Sequence, residues 1–289
     1  SMMVKGKIKY IDLFAGIGGF HLAFDKLDAE CVFVSEIDKQ SRLTYEENFK
    51  KNVKILKSKN YFIGDASDID PIDIPDFNIL CAGFPCQPFS LVGQKKGFND
   101  SRSDTFKIIT DILKQKKPSA FFLENVRNIL RINNGEAFDF IKNSIESLGY
   151  SFLYKIIKAS DHGLPQHRPR VFMVGFKNEK TTNSRFVFPS PEPLLLTMSD
   201  IFGSECTREI GYTIRVGGRR SGAKDRRNWD IYKINGKEKA LSVDEAKKMM
   251  GFPSSFSFPV SENQAMKQLG NSVAVNAVIA TGRNVIEYL

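Results

Sequence analysis

Four side chains in this sequence have types and settings suited to chemistry: the thiol of Cys86, the carboxyl of Glu124 and the guanidinium groups of Arg168 and Arg170. Cys86 stands in Pro85-Cys86-Gln87-Pro88, soon after the apolar run Phe77-Asn78-Ile79-Leu80, which is short enough for a buried strand. Neither proline can donate a ladder hydrogen bond and both fix φ, so the strand ends there and the thiol is held on a stiffened loop at its carboxyl end. Open α/β sheets place their ligands at that edge. A buried structural cysteine is the commoner fate of a free thiol, and Pro-Cys alone does not decide between the two. Glu124 follows the apolar run Ala120-Phe121-Phe122-Leu123; a carboxylate in that position is not free surface charge, and burial raises its pKa. Arg168 and Arg170, separated by Pro169, project to one side of an extended segment and suit a carboxylate or phosphate fork.

The elements needed to position these groups are legible upstream. Ile8 to Phe14 reads as a first strand running into Ala15-Gly16-Ile17-Gly18-Gly19-Phe20 and then a helical pattern. Glycines at such a turn allow close backbone approach to a ligand and leave helix N–H groups free. The spacing departs from the dinucleotide pattern G-x-G-x-x-G. Cys31 to Ser35 is a second strand ending at Glu36-Ile37-Asp38, with an acid about 20 positions after the glycine turn, where a ribose diol would meet it. Tyr61-Phe62-Ile63 is a third, ending at Gly64-Asp65. Together the three strand ends outline a nucleoside-type pocket, although for each acid taken singly a solvated loop residue is the commoner reading. Helices are expected over 41–49, 105–116 and 135–148, and further strands over 152–159 and 171–176. Val92 to Arg102 is a polar, glycine-hinged, cationic loop able to close over a substrate.

Beyond Lys177 the alternation stops, and Pro189, Pro191 and Pro193 mark a boundary. Residues 211–239 then concentrate arginine and glycine around the single tryptophan, Trp229, as a nucleic-acid contact surface would; a solvated basic face is the plainer alternative. Residues 241–250 read as a short helix. Gln268 to Val273 leads into a last helix too apolar to stand exposed.

The chain has 289 residues and a net charge of +9, from 42 Lys+Arg against 33 Asp+Glu, which favours a polyanionic partner without proving one. Cys31, Cys81, Cys86 and Cys206 match no zinc spacing, and His21, His162 and His167 add no ligand array. Reduced thiols, an intracellular (cytoplasmic) setting, no metal and no membrane segment are expected. Ser1-Met2-Met3 is read as an addition ahead of the native start, with no leader.

The blocks Asp12-Leu13-Phe14-Ala15-Gly16-Ile17-Gly18-Gly19, Glu36-Ile37-Asp38, Gly64-Asp65, Gly83-Phe84-Pro85-Cys86-Gln87, Glu124-Asn125-Val126, Gln166-His167-Arg168-Pro169-Arg170 and Gly270-Asn271-Ser272-Val273 resemble, in order and over nearly the whole chain, the C5-cytosine DNA methyltransferases of bacterial restriction–modification systems. The resemblance implies an α/β fold: the doubly wound, Rossmann-like sheet of AdoMet-dependent methyltransferases with a small inserted target recognition domain. It places the catalytic domain in residues 1–178 plus 262–289, and the recognition domain and hinge in 179–261. An S-adenosyl-L-methionine (AdoMet) site is implied at Phe14, Ala15, Gly16, Gly18, Gly19, Glu36, Ile37, Asp65, Ala66, Pro85, Asn271 and Ser272, with S-adenosyl-L-homocysteine as product. Glu36 would hold the ribose and Asp65 the adenine.

By the same resemblance Cys86 is the nucleophile and Glu124 the group that bonds the cytosine N3 edge, while Arg168 and Arg170 steady the carbonyl oxygen, the thiolate or Glu124. The target cytosine must leave the duplex to reach such a pocket. Contacts to double-stranded DNA are expected from Gln87, Ser90, Arg102, Thr213, Arg215, Gly217, Gly218, Arg219 and Arg220. The segment between Arg170 and Leu241 is short for the family, which implies a short recognition site; arginines there suit guanines. A monomer is expected, with a cognate restriction endonuclease a possible partner. An amino-group methyltransferase would need a Pro-Pro-aromatic loop where this chain has Pro-Cys-Gln. A transfer-RNA cytosine methyltransferase, lacking a segment like 213–229, and a catalytically silent DNA-binding relative are the rival readings.

Overall fold

The structure is a computed structural model that describes residues 6–85, 104–222 and 224–289. Seven strands form one sheet: β1 (Lys9–Leu13), β2 (Glu30–Ser35), β3 (Phe62–Ile63), β4 (Ile79–Gly83), β5 (Ala120–Val126), β6 (Leu153–Lys158) and β7 (Pro169–Phe176). Their spatial order is β3-β2-β1-β4-β5-β7-β6. From β3 to β5 every neighbouring pair is parallel, and β7 runs antiparallel to both β5 and β6. The chain winds outward from β1 through β2 to β3, then returns to start again at β4. The strand order therefore reverses between β1 and β4, and a crevice opens outside their carboxyl ends.

Alternation along the strands sorts side chains into two cores. Tyr10, Cys81, Phe122, Phe172 and Val174 point to one face, whereas Ile11, Leu80, Phe121, Leu123 and Met173 point to the other. The first face is covered by α1 (Gly19–Lys26), α2 (Lys39–Asn48), α3 (Lys50–Ser58) and, at the other end of the chain, α9 (Val275–Tyr288). The second carries α4 (Thr105–Lys116) and α5 (Glu136–Glu146). Full burial of rings such as Phe121 and Phe122 stabilises the sheet by about 1.5–3 kcal/mol each. The last helix packs against α1, so closely that a Cβ on Gly282 would lie 3.0 Å from Leu27.

Residues 179–261 hold more regular structure than their composition implies. Thr197 and Asp200 form a capping box at the start of α6 (Met198–Phe202), and Ser242 and Glu245 do so for α7 (Val243–Met249). The hairpin β8 (Ile231–Ile234) and β9 (Lys237–Ala240) turns on Asn235-Gly236, both left-handed, the signature of a tight two-residue turn. That signal was present in the sequence and was passed over among the surrounding charges. Helix α8 (Glu262–Gly270), capped by Ser261, was likewise not anticipated. Trp229, Ile214, Tyr232 and Met249 share a continuous core with the first sheet face.

Candidate active site

The crevice at the switch point is a cavity of about 560 Å³. Phe14, Gly16, Glu36, Ile37, Asp65, Ala66, Pro85, Asn271 and Ser272 line it, as do Glu124, Arg168 and Arg170. Phe14 and Gly16 both adopt left-handed backbone (φ 51° and 56°), and a Cβ built on Gly16 would meet nothing within 4 Å. The turn therefore presents bare backbone to open space.

Glu36 is fixed from both sides. Gly16 N donates to Oε1 at 2.8 Å, and Asp38 N donates to Oε2 at 2.7 Å. Burial pushes the Glu36 carboxyl up, opposed by those two N–H groups and by Arg42. Arg42 also donates to the carbonyls of Glu36 and Ile37 at 2.6 and 2.9 Å, which locks the turn. Ile37 is 66% exposed and lines the cavity. Asp65 uses Oδ1 to accept from the N–H and hydroxyl of Ser67. An open glycine cradle, a braced acceptor, an apolar wall and a second acid are donor and shape features that fit a nucleoside cofactor.

Ala15, Gly18 and Gly19 do not line the cavity. Ala15 N donates to Ser35 O, which knits β1 to β2. A Cβ on Gly18 would stand 2.4 Å from Phe49, and one on Gly19 would stand 2.6 Å from Val273 and 2.7 Å from Ser272. Both glycines are demanded by close packing of α1. The ring of Tyr45 completes this packing: its hydroxyl donates to the wholly buried Asp12 at 2.9 Å and meets His21 Nδ1 at 2.7 Å.

Glu124 closes the other end of the cavity, 8% exposed at the end of β5. Burial pushes its carboxyl up, and Arg170 and Arg168 pull it back down. Arg170 Nε lies 3.6 Å from Glu124 Oε2. The pairing follows from strand direction: because β7 runs antiparallel, its first residues oppose the last of β5, with Arg170 opposite Val126. Asn125 Nδ2 donates to Phe84 O at 2.9 Å, tying β5 to the segment that leads into Cys86. No sequence signal marks this role of Asn125, because Phe84 lies 41 positions away. Cys86, Gln87, Ser90 and Arg102 lie outside the described residues.

The two arginines do not share a task, contrary to the one-sided fork expected. Arg168 has left-handed backbone (φ 27°), and its buried guanidinium donates to Gln166 Oε1 (3.2 Å), Ile214 O (2.9 Å), Gly270 O (2.8 Å) and Ser272 O (2.6 Å). Although it borders the cavity, its Nη donors are spent on joining three chain segments. Arg170 alone faces Glu124 as an ion pair.

Among the anticipated DNA contacts, several are also occupied. The Thr213 hydroxyl accepts from Arg168 N at 3.1 Å. Arg219 is bonded to Glu262 at 2.5 Å, with Arg220 at 3.5 Å from the same oxygen. Trp229 is 2% exposed and donates to Gly217 O at 2.7 Å, so it is a core residue and not a stacking surface. Gly218 is left-handed, and a Cβ there would meet Arg227 O at 3.1 Å. Arg215 is exposed.

Solved structures share this architecture: the S. pombe Dnmt2 methyltransferase matches 97% of this chain and 99% of its own with a TM-score of 0.73 at 20% identity. The Entamoeba histolytica methyltransferase EhMeth matches 98% of each chain with a TM-score of 0.75 at 18% identity. Strand order and these likenesses together define the doubly wound, Rossmann-like α/β fold of these methyltransferases. The family model for C-5 cytosine-specific DNA methylases matches residues 8–215 and 208–287. The chain is 35% identical to the Type II methyltransferase M.HhaI of Haemophilus parahaemolyticus, over 94% of this chain and 92% of that protein. It is 38% identical to the Type II methyltransferase M.SsoII of Shigella sonnei, over 98% and 81%. The chain belongs to the C-5 cytosine-specific DNA methylase family and is a DNA (cytosine-5-)-methyltransferase. Among the described residues no group of three or more His, Cys, Asp or Glu is placed to hold a metal, and no helix is long and apolar enough to cross a membrane.

Proposed function

We propose that this enzyme methylates C5 of a flipped-out cytosine in a short duplex site through a covalent bond from Cys86 to C6, and that it protects DNA within a restriction–modification system. The observation that carries this reading is that Glu124 and Arg170 open onto the same cavity as Glu36 and Asp65. AdoMet, when bound, supplies an electrophilic methyl group. Phe14, Gly16, Ile37, Ala66 and Pro85 would form its walls, Glu36 would accept from the ribose hydroxyls, Asp65 from the adenine amine, and Asn271 and Ser272 would close the far side.

Cytosine C5 is too weak a nucleophile to take a methyl group unaided. Addition of the Cys86 thiolate at C6 pushes electron density to C5, and Glu124, whose carboxyl burial pushes up, gives a proton to N3 as charge develops there. Arg170 steadies the Glu124 carboxylate and the adjacent carbonyl oxygen. Once C5 carries the methyl group its proton leaves to a base, the C6–S bond breaks, and Cys86 is released. The second product is S-adenosyl-L-homocysteine. Arg168 acts as a positioning residue, holding the Gly270–Ser272 turn against the cavity. Residues 179–261 serve as the recognition domain, with duplex DNA between them and the sheet edge, and a single chain suffices for one flipped base.

Duplex DNA carrying 5-fluorocytosine tests this. Fluorine cannot leave C5 as a proton does, so a DNA–protein band that survives denaturation is expected with AdoMet and is absent from Cys86→Ala. A band on fluorinated RNA alone, or none with AdoMet still bound, sinks the reading.

A further inference from the structure

Val126 and Arg170, which line the first cavity, also line a second one of about 450 Å³. Its charged lining is wholly cationic: Arg127, Arg131, Arg170 and Arg215, with His167 beside them and no carboxylate. Arg127 and Arg131 come from the short turns that follow β5, so the same strand that ends in Glu124 delivers them. Both are exposed, and neither guanidinium group has an ion pair or hydrogen-bond partner among the described residues, although Arg131 N donates to Asn128 O. This contrasts with Arg219 and Arg220, which Glu262 already engages. Surrounding cations reinforce the field: burial first, then Lys158 and Arg127, holds the His167 ring below its ordinary pKa.

A concave site lined by four guanidinium groups, of which only Arg170 is held in an ion pair among the described residues, selects an anion, and guanidinium geometry matches phosphate oxygens. The shared wall specifies which anion. A base seated against Glu124 is joined to its phosphate through one sugar, so the phosphate falls in the adjoining cavity rather than the same one. We infer that this second cavity grips a backbone phosphate of the target strand beside the flipped nucleotide, with Arg127 and Arg131 as its principal donors. The inference rests on the base-flipping reading above. Such contacts fix position and carry no sequence information. Arg127 and Arg131 therefore set affinity and register, while sequence is read elsewhere.

The test measures binding of full-length enzyme to a mixed-sequence duplex across a range of salt concentrations, for wild type, Arg127→Gln/Arg131→Gln and Arg127→Lys/Arg131→Lys. Each phosphate contact contributes about 0.9 to the slope of log affinity against log salt. The double glutamine variant should lower that slope by nearly two and weaken binding at low salt by at least about tenfold. It should leave AdoMet affinity and the pattern of methylated sites unchanged. The lysine pair should keep the slope. An unchanged slope in the glutamine variant, or a loss confined to one DNA sequence, overturns the inference. If wild type transfers no methyl group to DNA at all, the functional reading fails first, which separates the two failures.

Discussion

Arg170 Nε stands 3.6 Å from Glu124 Oε2 at the mouth of a cavity where the carboxylate is 8% exposed. Burial favours the protonated acid and wins, while the arginine favours the anion and limits the rise. In the proposed reaction protonated Glu124 is the proton donor, so kcat/KM should fall as pH rises through its raised pKa. Arg170→Gln removes the opposing charge, so this alkaline limb should move upward in pH while the maximal rate drops about 10²–10³-fold. A pH–rate profile of the two enzymes checks it; a limb that stays in place means Glu124 is not the titrating group.

Arg168 holds Gln166, Ile214, Gly270 and Ser272 by one buried guanidinium. Arg168→Met leaves the carbonyls of Ile214, Gly270 and Ser272 without this donor, while Gln166 Oε1 keeps Ile214 N, which should cost about 3–5 kcal/mol of stability. Arg168→Lys should recover only part, since an ammonium cannot span the fork. Urea unfolding measures the loss, and AdoMet titration should show weakened binding through the displaced Asn271-Ser272 turn. Full stability in Arg168→Met would contradict the clamp.

His21 stacks on Phe49 with ring centroids 3.9 Å apart and is pushed by burial to a pKa of about 3. Below the ordinary histidine value near 6.5 the unfolded chain gains a proton that the folded chain refuses. Stability should therefore fall as pH drops from about 6.5 toward 3, by at most about 1.4 kcal/mol per unit. Asp25, whose carboxyl burial lifts to about 6, works in the opposite sense, because the unfolded chain loses its proton first as pH rises. Asp25 is half exposed, so solvent screening makes its contribution the smaller one. Urea unfolding below neutral pH should show a flatter acid limb in His21→Gln than in wild type.

Glu262 occupies Arg219 and Arg220 although it is itself 58% exposed. Glu262→Gln should change stability by less than about 1 kcal/mol, while duplex affinity rises and its salt slope steepens as two arginines are freed. Equal slopes would mean that these arginines never meet phosphate.

The parallel half of the fold was legible because its signals are local. Short, nearly continuous apolar runs that lead into Gly16, Glu36, Asp65 and Glu124 state both where a strand lies and what chemistry stands at its carboxyl end. Sequence spacing also carried the family blocks, in order. Residues 179–261 were read less well. A dense arginine stretch resembled an exposed surface, yet Trp229 is buried beneath it and the Asn235-Gly236 hairpin lies within it.

Other features depend on neighbours far apart in the chain. That Gly18 and Gly19 serve packing follows from Phe49, Ser272 and Val273 arriving against them. That Arg168 is a clamp follows from Gly270 and Ser272, more than 100 positions away, presenting carbonyls to it. Sequence alone determined that Cys86, Glu124 and two arginines belong to one kind of chemistry. Only the tertiary structure decided which arginine meets Glu124, because an antiparallel β7 brings the first residues of one strand beside the last of another. Strand direction is settled by packing over the whole sheet and is not encoded in the spacing of Arg168 and Arg170.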